Sequence, residues 1–279
     1  ALSSVLFSFG VLSRPTLAVY CVCALIFIFA GYLKLKGSGK KLKECTGYFT
    51  AALLPYVVIG LIQMIYNGVR FGSITDFGIE YSLTINDFIN AEYHPHFVGI
   101  GFYNYLAALP GFVPDFPFIT STVETFNPNG YYFVANSTAI GLLWMALPLF
   151  SYIYGRKAYL ISQNRYKRLY AVLLFAVCIV TPFVIIASVW ESGYAARYKV
   201  DFAWQMLIGA LTIAFIIYNN CRNESVKNIL TKALFISLIL EFILNFAQIY
   251  TFTINLGGFN HEVLDKWFCL FERAFEFWK

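Results

Sequence analysis

Charge is what this sequence has least of. Only 13% of its 279 residues are Asp, Glu, Lys or Arg, against about 25% in a soluble domain. So few charges cannot cover a water-facing surface, and the apolar patches left over suit lipid. Other absences narrow the function. The sequence holds no P-loop, no dinucleotide-binding glycine fingerprint, no HExxH and no nucleophile elbow, so a nucleotide-driven pump has no support. Six cysteines are present, but no CxxC pair; they read as small apolar packing residues rather than disulfide or metal partners. The net charge of +5 needs no nucleic-acid partner to explain it. No internal repeat and no matching pair of Gly/Pro-interrupted spans is found, a pattern common in transporters.

What the chain has in excess is apolar surface. Hydrophobic residues make up 59% and the mean hydropathy is +0.65. Apolar runs of spanning length fall near 15–33, 47–66, 133–154, 169–190, 202–220 and 232–254, each close to the roughly 20 residues a bilayer requires. Tyr32, Tyr66, Tyr154, Tyr170, Trp190 and Tyr218 stand near their ends, where aromatic rings sit at headgroup level. The expected fold is therefore an all-α, polytopic transmembrane bundle of about six full spans. The run from Leu2 to Leu12 is too short to span and lacks the charged flank of a signal peptide. It is expected to be a shortened helix, with the whole of 1–279 a C-terminal transmembrane domain of a longer protein.

Loop charges give an orientation. Segments 34–45, 155–168 and 220–232 hold 13 of the 20 basic residues, which places them on the cytoplasmic side. Twelve of the 15 acids lie in the opposite segments, among them Asp76, Glu80, Asp87, Glu191 and Asp201. The C-terminus is then extracytoplasmic, and a bacterial cytoplasmic membrane is the expected location. The longest connection, 67–132, is punctuated by Gly and Pro; within it Phe97 to Leu109 reads as an interfacial or re-entrant helix, and Phe112 to Phe118 as an aromatic stretch against the membrane surface. The tail, 255–279, alternates acids with Trp and Phe, as an interfacial amphipathic helix does.

Two constellations carry chemistry. Tyr66-Asn67-Gly68-Val69-Arg70-Phe71-Gly72 ends a span and delivers Arg70 to the outer interface, the lone basic residue between Lys43 and Arg156. Its partner is either Asp76 or Glu80, or a lipid or substrate phosphate. Glu191-Ser192-Gly193-Tyr194-Ala195-Ala196-Arg197-Tyr198-Lys199-Val200-Asp201 packs two cations and two acids into a short outer loop. Charges at that depth are expensive unless paired or used. Arg197 and Asp201, four apart, would pair on an extension of the next helix; alternatively Arg197 or Lys199 holds a phosphate head group. Weaker signals are His94-Pro95-His96, a metal-like pair with no third ligand, and Glu241, an intramembrane acid with Asn245 and Gln248 at helical spacing. No catalytic residue and no cofactor is assigned, although a divalent metal stays open.

The Tyr66–Asp87 stretch, with Arg70-Phe71-Gly72-Ser73 and Asp76-Phe77-Gly78, resembles a large set of bacterial polytopic membrane proteins that look like GT-C-type glycosyltransferases. Ser13-Arg14-Pro15, Phe116-Pro117-Phe118, Arg197-Tyr198 with Asp201-Phe202, and Phe275-Glu276-Phe277-Trp278 fit the same set. His94-Pro95-His96 stands where that set more usually has basic residues. The resemblance implies a polyprenyl-phosphate-linked sugar as donor, membrane lipid as surroundings, and lipid-phosphate or substrate contacts at Arg70, Arg197 and Lys199. Asn67, Asp76, Asp87, Glu191, Asp201 and Glu241 would support them. It also implies that the catalytic acid lies upstream of this sequence. Two other classes stay open, a transporter or lipid flippase built around Glu241, and a non-catalytic membrane assembly subunit.

Overall fold

The computed structural model describes residues 2–13, 17–78, 94–121, 140–162, 167–189, 193–255, 270 and 273–275. Among these the chain is almost wholly helical, and five helices are long and apolar enough to cross a membrane: Ala18–Gly37, Leu42–Phe71, Lys167–Ser188, Ala203–Asn220 and Glu224–Thr251. The protein is an all-α, multi-pass membrane protein. It divides into two compact units, one formed by 1–92 with 166–185 and the other by 93–165 with 186–279.

The first unit contains α1 (Leu2–Ser13), α2 (Ala18–Gly37) and α3 (Leu42–Phe71). It also holds α7 (Lys167–Phe175), a π-helical turn at Ala176–Val180 and the start of α8 (Thr181–Ser188). Helices α2 and α3 approach closely at Gly31, where a Cβ would run into the Tyr48 ring. Close approach at a small residue is how helices gain packing energy in lipid, where apolar burial alone gives none. The wide turn before Pro182 has a local cause. Proline lacks the N–H of a regular helix, and the Thr181 hydroxyl donates back to the Ala176 carbonyl at 2.9 Å. The Cys23 thiol sits 3.0 Å from the same hydroxyl. The described cysteines Cys21, Cys23, Cys45, Cys178 and Cys221 are free thiols. At its far end α3 stops at Gly72, whose left-handed φ of 79° needs glycine, and whose N–H bonds the Gly68 carbonyl.

The second unit starts with α4 (Pro95–Phe102), which continues through a π-helical turn at Tyr103–Ala107. The expected short helix at Phe97 to Leu109 thus exists, and its Phe97, Asn104, Tyr105 and Ala108 are buried. The aromatic stretch after it folds as a two-stranded antiparallel hairpin, β1 (Pro110–Phe112) and β2 (Ile119–Ser121), with Gly111 opposite Thr120. Phe116 at its tip stacks on Phe275 (5.1 Å between centroids) and meets Tyr250 edge-on (4.8 Å). The rest of the tail, 256–269, 271–272 and 276–279, lies outside the described residues.

The run expected to span at 133–154 is built differently. Residues 133–139 lie outside the described residues. From Leu142 onward the chain forms three pieces: α5 (Leu142–Met145), a 3-10 helix at Leu147–Tyr154 and α6 (Gly155–Ile161). Ala146, at φ −140° and ψ 69°, breaks the helix, and Pro148 just beyond has no N–H to restore it. This broken segment lies along α9 (Ala203–Asn220). Lys199, just before α9, bonds Ile140; Tyr152 bonds the Met206 carbonyl at 2.7 Å; a Cβ at Gly155 would lie 3.7 Å from Ile213. Residue numbers rise together on both sides, so the two segments run in the same direction. The unit closes with α10 (Glu224–Asn255), unbroken over 32 residues. Only 6% of its spanning stretch is buried by protein, so it offers most of its Leu, Ile and Phe side chains to lipid.

Candidate functional site

The turn that leads into α9 in the second unit is organised by a tyrosine. Tyr105 is fully buried; its hydroxyl donates to the Gly193 carbonyl at 3.0 Å and accepts from the Ala195 N–H at 3.1 Å. Its ring lies 4.8 Å from Tyr194 and meets Phe202 edge-on at 5.6 Å. The loop is thereby clamped on both sides of Tyr194, and the next residues wind into a 3-10 helix, Ala196–Asp201.

That tight winding separates the charges. Residues three apart eclipse in a 3-10 helix, so those four apart point about 120° away from each other. Arg197 accordingly faces outward and is exposed, while Asp201 is 3% exposed. The i,i+4 pairing open at Arg197 and Asp201 requires α-helical winding, which this turn lacks. The Arg197 guanidinium lies over the Tyr198 ring, 5.2 Å from its centroid, with a long hydrogen bond to that hydroxyl at 3.5 Å.

Lys199, two residues on, turns inward and is 7% exposed. Its ammonium donates to the Ile140 carbonyl at 2.6 Å, approaches the Met145 sulfur at 3.3 Å and stands 5.7 Å from the Tyr194 ring centre. Burial pushes its pKa down to about 8, because a low-dielectric site penalises the charged form. All of its contacts are therefore internal, and Arg197 is the cation this turn offers to the outside.

In the first unit Arg70 ends α3 exposed. It donates to the Tyr66 hydroxyl one turn earlier, and its guanidinium lies 5.6 Å from the Tyr66 ring centre and 5.3 Å from that of Phe71. Asp76, the nearby acid, accepts instead from the Gly78 N–H at 2.7 Å. Asn67 is buried, receives the Gln63 amide at 2.7 Å and donates to the Ile74 carbonyl at 3.3 Å, folding the post-helix turn back onto α3. Among the described residues neither Arg70 nor Arg197 forms an ion pair. Glu80, Asp87 and Glu191 lie outside the described residues.

The remaining sequence candidates are Glu241 and the His94–His96 pair. The Glu241 carboxylate, half-buried on α10, accepts from Ser237 at 3.1 Å, and Asn245 donates to the Glu241 backbone carbonyl at 2.7 Å. Both contacts lie within one unbroken helix. His94 and His96 stand 5.5 Å apart between ring centroids, and among the described residues no group of three His, Cys, Asp or Glu able to hold a metal ion occurs.

Sequence reasoning passed over Tyr105 and Gln205. Gln205 is 1% exposed, on the α9 face that also buries Met206, Gly209 and Ala210. Its signal was available, since a glutamine inside a spanning run is as conspicuous as Glu241.

A scan against protein-family models gives no match, and neither the search of curated proteins nor that of solved structures returns one.

Proposed function

We propose that the chain is part of a membrane glycosyltransferase-like protein that takes a polyprenyl-phosphate-linked sugar at the outer leaflet of a bacterial cytoplasmic membrane. The observation that carries this reading is the state of the two arginines. Arg70 and Arg197 are both exposed, both laid across aromatic rings, and neither is ion-paired among the described residues. Ring stacking fixes a guanidinium without consuming most of its five donors. What remains is a planar fork suited to a phosphate, which accepts two parallel hydrogen bonds. Tyrosine and arginine together at a helix end also suit the depth at which lipid phosphates lie.

In the reaction an acceptor oxygen forms a bond to the sugar's anomeric carbon while the bond from that carbon to the phosphate oxygen breaks. The acceptor's proton passes to a carboxylate acting as general base. Charge grows on the departing polyprenyl phosphate, and a positioned guanidinium stabilises it more in the transition state than in the ground state.

The test uses the full-length protein in proteoliposomes with labelled decaprenyl-phosphate hexoses. Arg70→Gln or Arg197→Gln lowers transfer by about 100-fold, the scale of losing one oxyanion donor, and lysine at that position restores only part. Unchanged transfer in both glutamine variants removes the arginines from the reaction.

A further inference from the structure

Gln205 lies in the first turn of α9, 1% exposed, and among the described residues neither its Nε2 nor its Oε1 has a hydrogen-bond partner. Buried polar groups in folded proteins are nearly always bonded, and an exception calls for an explanation such as a bound group. The surroundings narrow what that group is. The face of α9 that buries Gln205 continues in small residues, Gly209 and Ala210. The 3-10 stretch Leu147–Tyr154 packs against this helix, held at the next residue by the bond from Tyr152 to the Met206 carbonyl. Irregular backbone at membrane depth is tolerated where protein buries it or where it lines a polar site, and interrupted helices recur around membrane substrates. Lys199, the buried cation just ahead of α9, has its contacts with Ile140 and Met145. Gln205, by contrast, is a neutral amide whose donor end and acceptor end are both unbonded among the described residues.

We infer that Gln205 is a specificity residue that reads two adjacent hydroxyls of a sugar between α9 and the broken segment Leu142–Ile161. An amide matches a vicinal diol: Nε2 donates to one hydroxyl oxygen, and Oε1 accepts from the hydroxyl beside it. A site built around such a pair rejects analogues that lack the hydroxyls, because the amide is then left unbonded. The inference rests on the reading above, since a lipid-linked sugar is what brings a polyol to this depth.

Full-length protein in nanodiscs is titrated with three kinds of probe: decaprenyl phosphate, decaprenyl phosphate carrying glucose, mannose or galactose, and the decyl glycosides of the same sugars, which lack phosphate. Wild type is expected to hold one of the sugar-bearing lipids about ten-fold or more above the bare lipid, the scale of two hydrogen bonds. Gln205→Met and Gln205→Leu, which keep the volume and lose both amide ends, erase that margin and weaken the decyl glycoside, while binding of bare decaprenyl phosphate is unchanged. Their melting temperature stays equal or rises, since no existing bond is lost. A sugar that adds nothing in wild type, or a margin that survives both variants, overturns the inference and leaves the phosphate reading standing. Bare lipid that fails to bind, with a decyl glycoside that binds through Gln205, overturns the phosphate reading and leaves the inference. Absence of binding by all three probes overturns both.

Discussion

The ammonium of Lys199 reaches the carbonyl oxygen of Ile140 across 2.6 Å, joining residues 59 positions apart. The bond pins the head of α9 to the head of the broken segment that runs beside it. It also answers a backbone need, because Ile140 lies where that segment begins, ahead of α5, and a buried carbonyl left unbonded there would be costly. A lysine just ahead of a spanning helix thus works as a strut between two neighbouring segments.

Lys199 makes stability depend on pH in a predictable direction. Its folded pKa is about 8, whereas an unfolded lysine titrates near 10.4. Between those values the unfolded chain binds a proton that the folded chain does not, so stability rises with pH across that window. Below about pH 8 both states are charged and the burial penalty is fully present. Each pH unit between the two pKa values corresponds to about 1.36 kcal/mol. Wild type should therefore gain up to about 3 kcal/mol between pH 7 and pH 10 relative to Lys199→Met. Unfolding in mixed micelles, followed by tryptophan fluorescence at both pH values, measures the difference. Equal slopes for the two proteins would place Lys199 in water.

Hydropathy made most of the spans legible, because a run of about twenty apolar residues has few other homes than a bilayer. It could not separate a continuous helix from the broken segment at 142–161, since lipid compatibility depends on composition and not on hydrogen-bond pattern. Pro148 was the visible warning. The exposed cations were legible for a similar reason: Arg70 is an isolated charge at a span end, and Arg197 belongs to a charged cluster between two spans. The division of labour between Arg197 and Lys199 was not. It depends on 3-10 rather than α winding, which comes from the clamp by Tyr105, a residue some 90 positions upstream of Ala195. Gln205 is visible in the sequence as a polar residue inside a spanning run, but nothing local shows that both ends of its amide lack a partner among the described residues.

Gly141 is expected to be intolerant of any side chain. A Cβ there would meet the Leu106 carbonyl oxygen at 2.5 Å and the Ala107 and Ala108 nitrogens at 2.6 Å each. These are backbone atoms and cannot rotate away, and the Gly141 N–H bonds the Ala108 carbonyl at 2.7 Å in the same place. Its φ of −61° suits any residue, so the obstacle is space alone. Gly141→Ala should destabilise the second unit by about 1–3 kcal/mol, the usual range for overpacking. Gly60→Ala is the control: nothing lies within 4 Å of a Cβ there, and alanine in a helix interior gains up to about 1 kcal/mol over glycine. Thermal unfolding of the two variants side by side checks the contrast, and equal melting temperatures would contradict the close packing of α5 on the Tyr103–Ala107 turn.

Orientation can be tested together with the broken segment. By their charge, the lysine-rich turn after α2 and the basic stretch around Lys157 are both expected on the cytoplasmic side. Helix α3 leaves the first of these, so the chain must return across the membrane before the second. The segment from Ile140 to Ile161, running parallel to α9, is the described element placed to make that return. In cells expressing variants with the native cysteines replaced, Val200→Cys, 68% exposed beside Arg197, should react with a membrane-impermeant maleimide added outside. Ser38→Cys and Lys157→Cys, both exposed, should react only after the membrane is opened. Outside labelling of Lys157→Cys along with Val200→Cys would show that the broken segment does not cross. A pattern reversed at all three positions would put the Arg197 turn in the cytoplasm, where a lipid-linked donor at the outer leaflet is out of its reach.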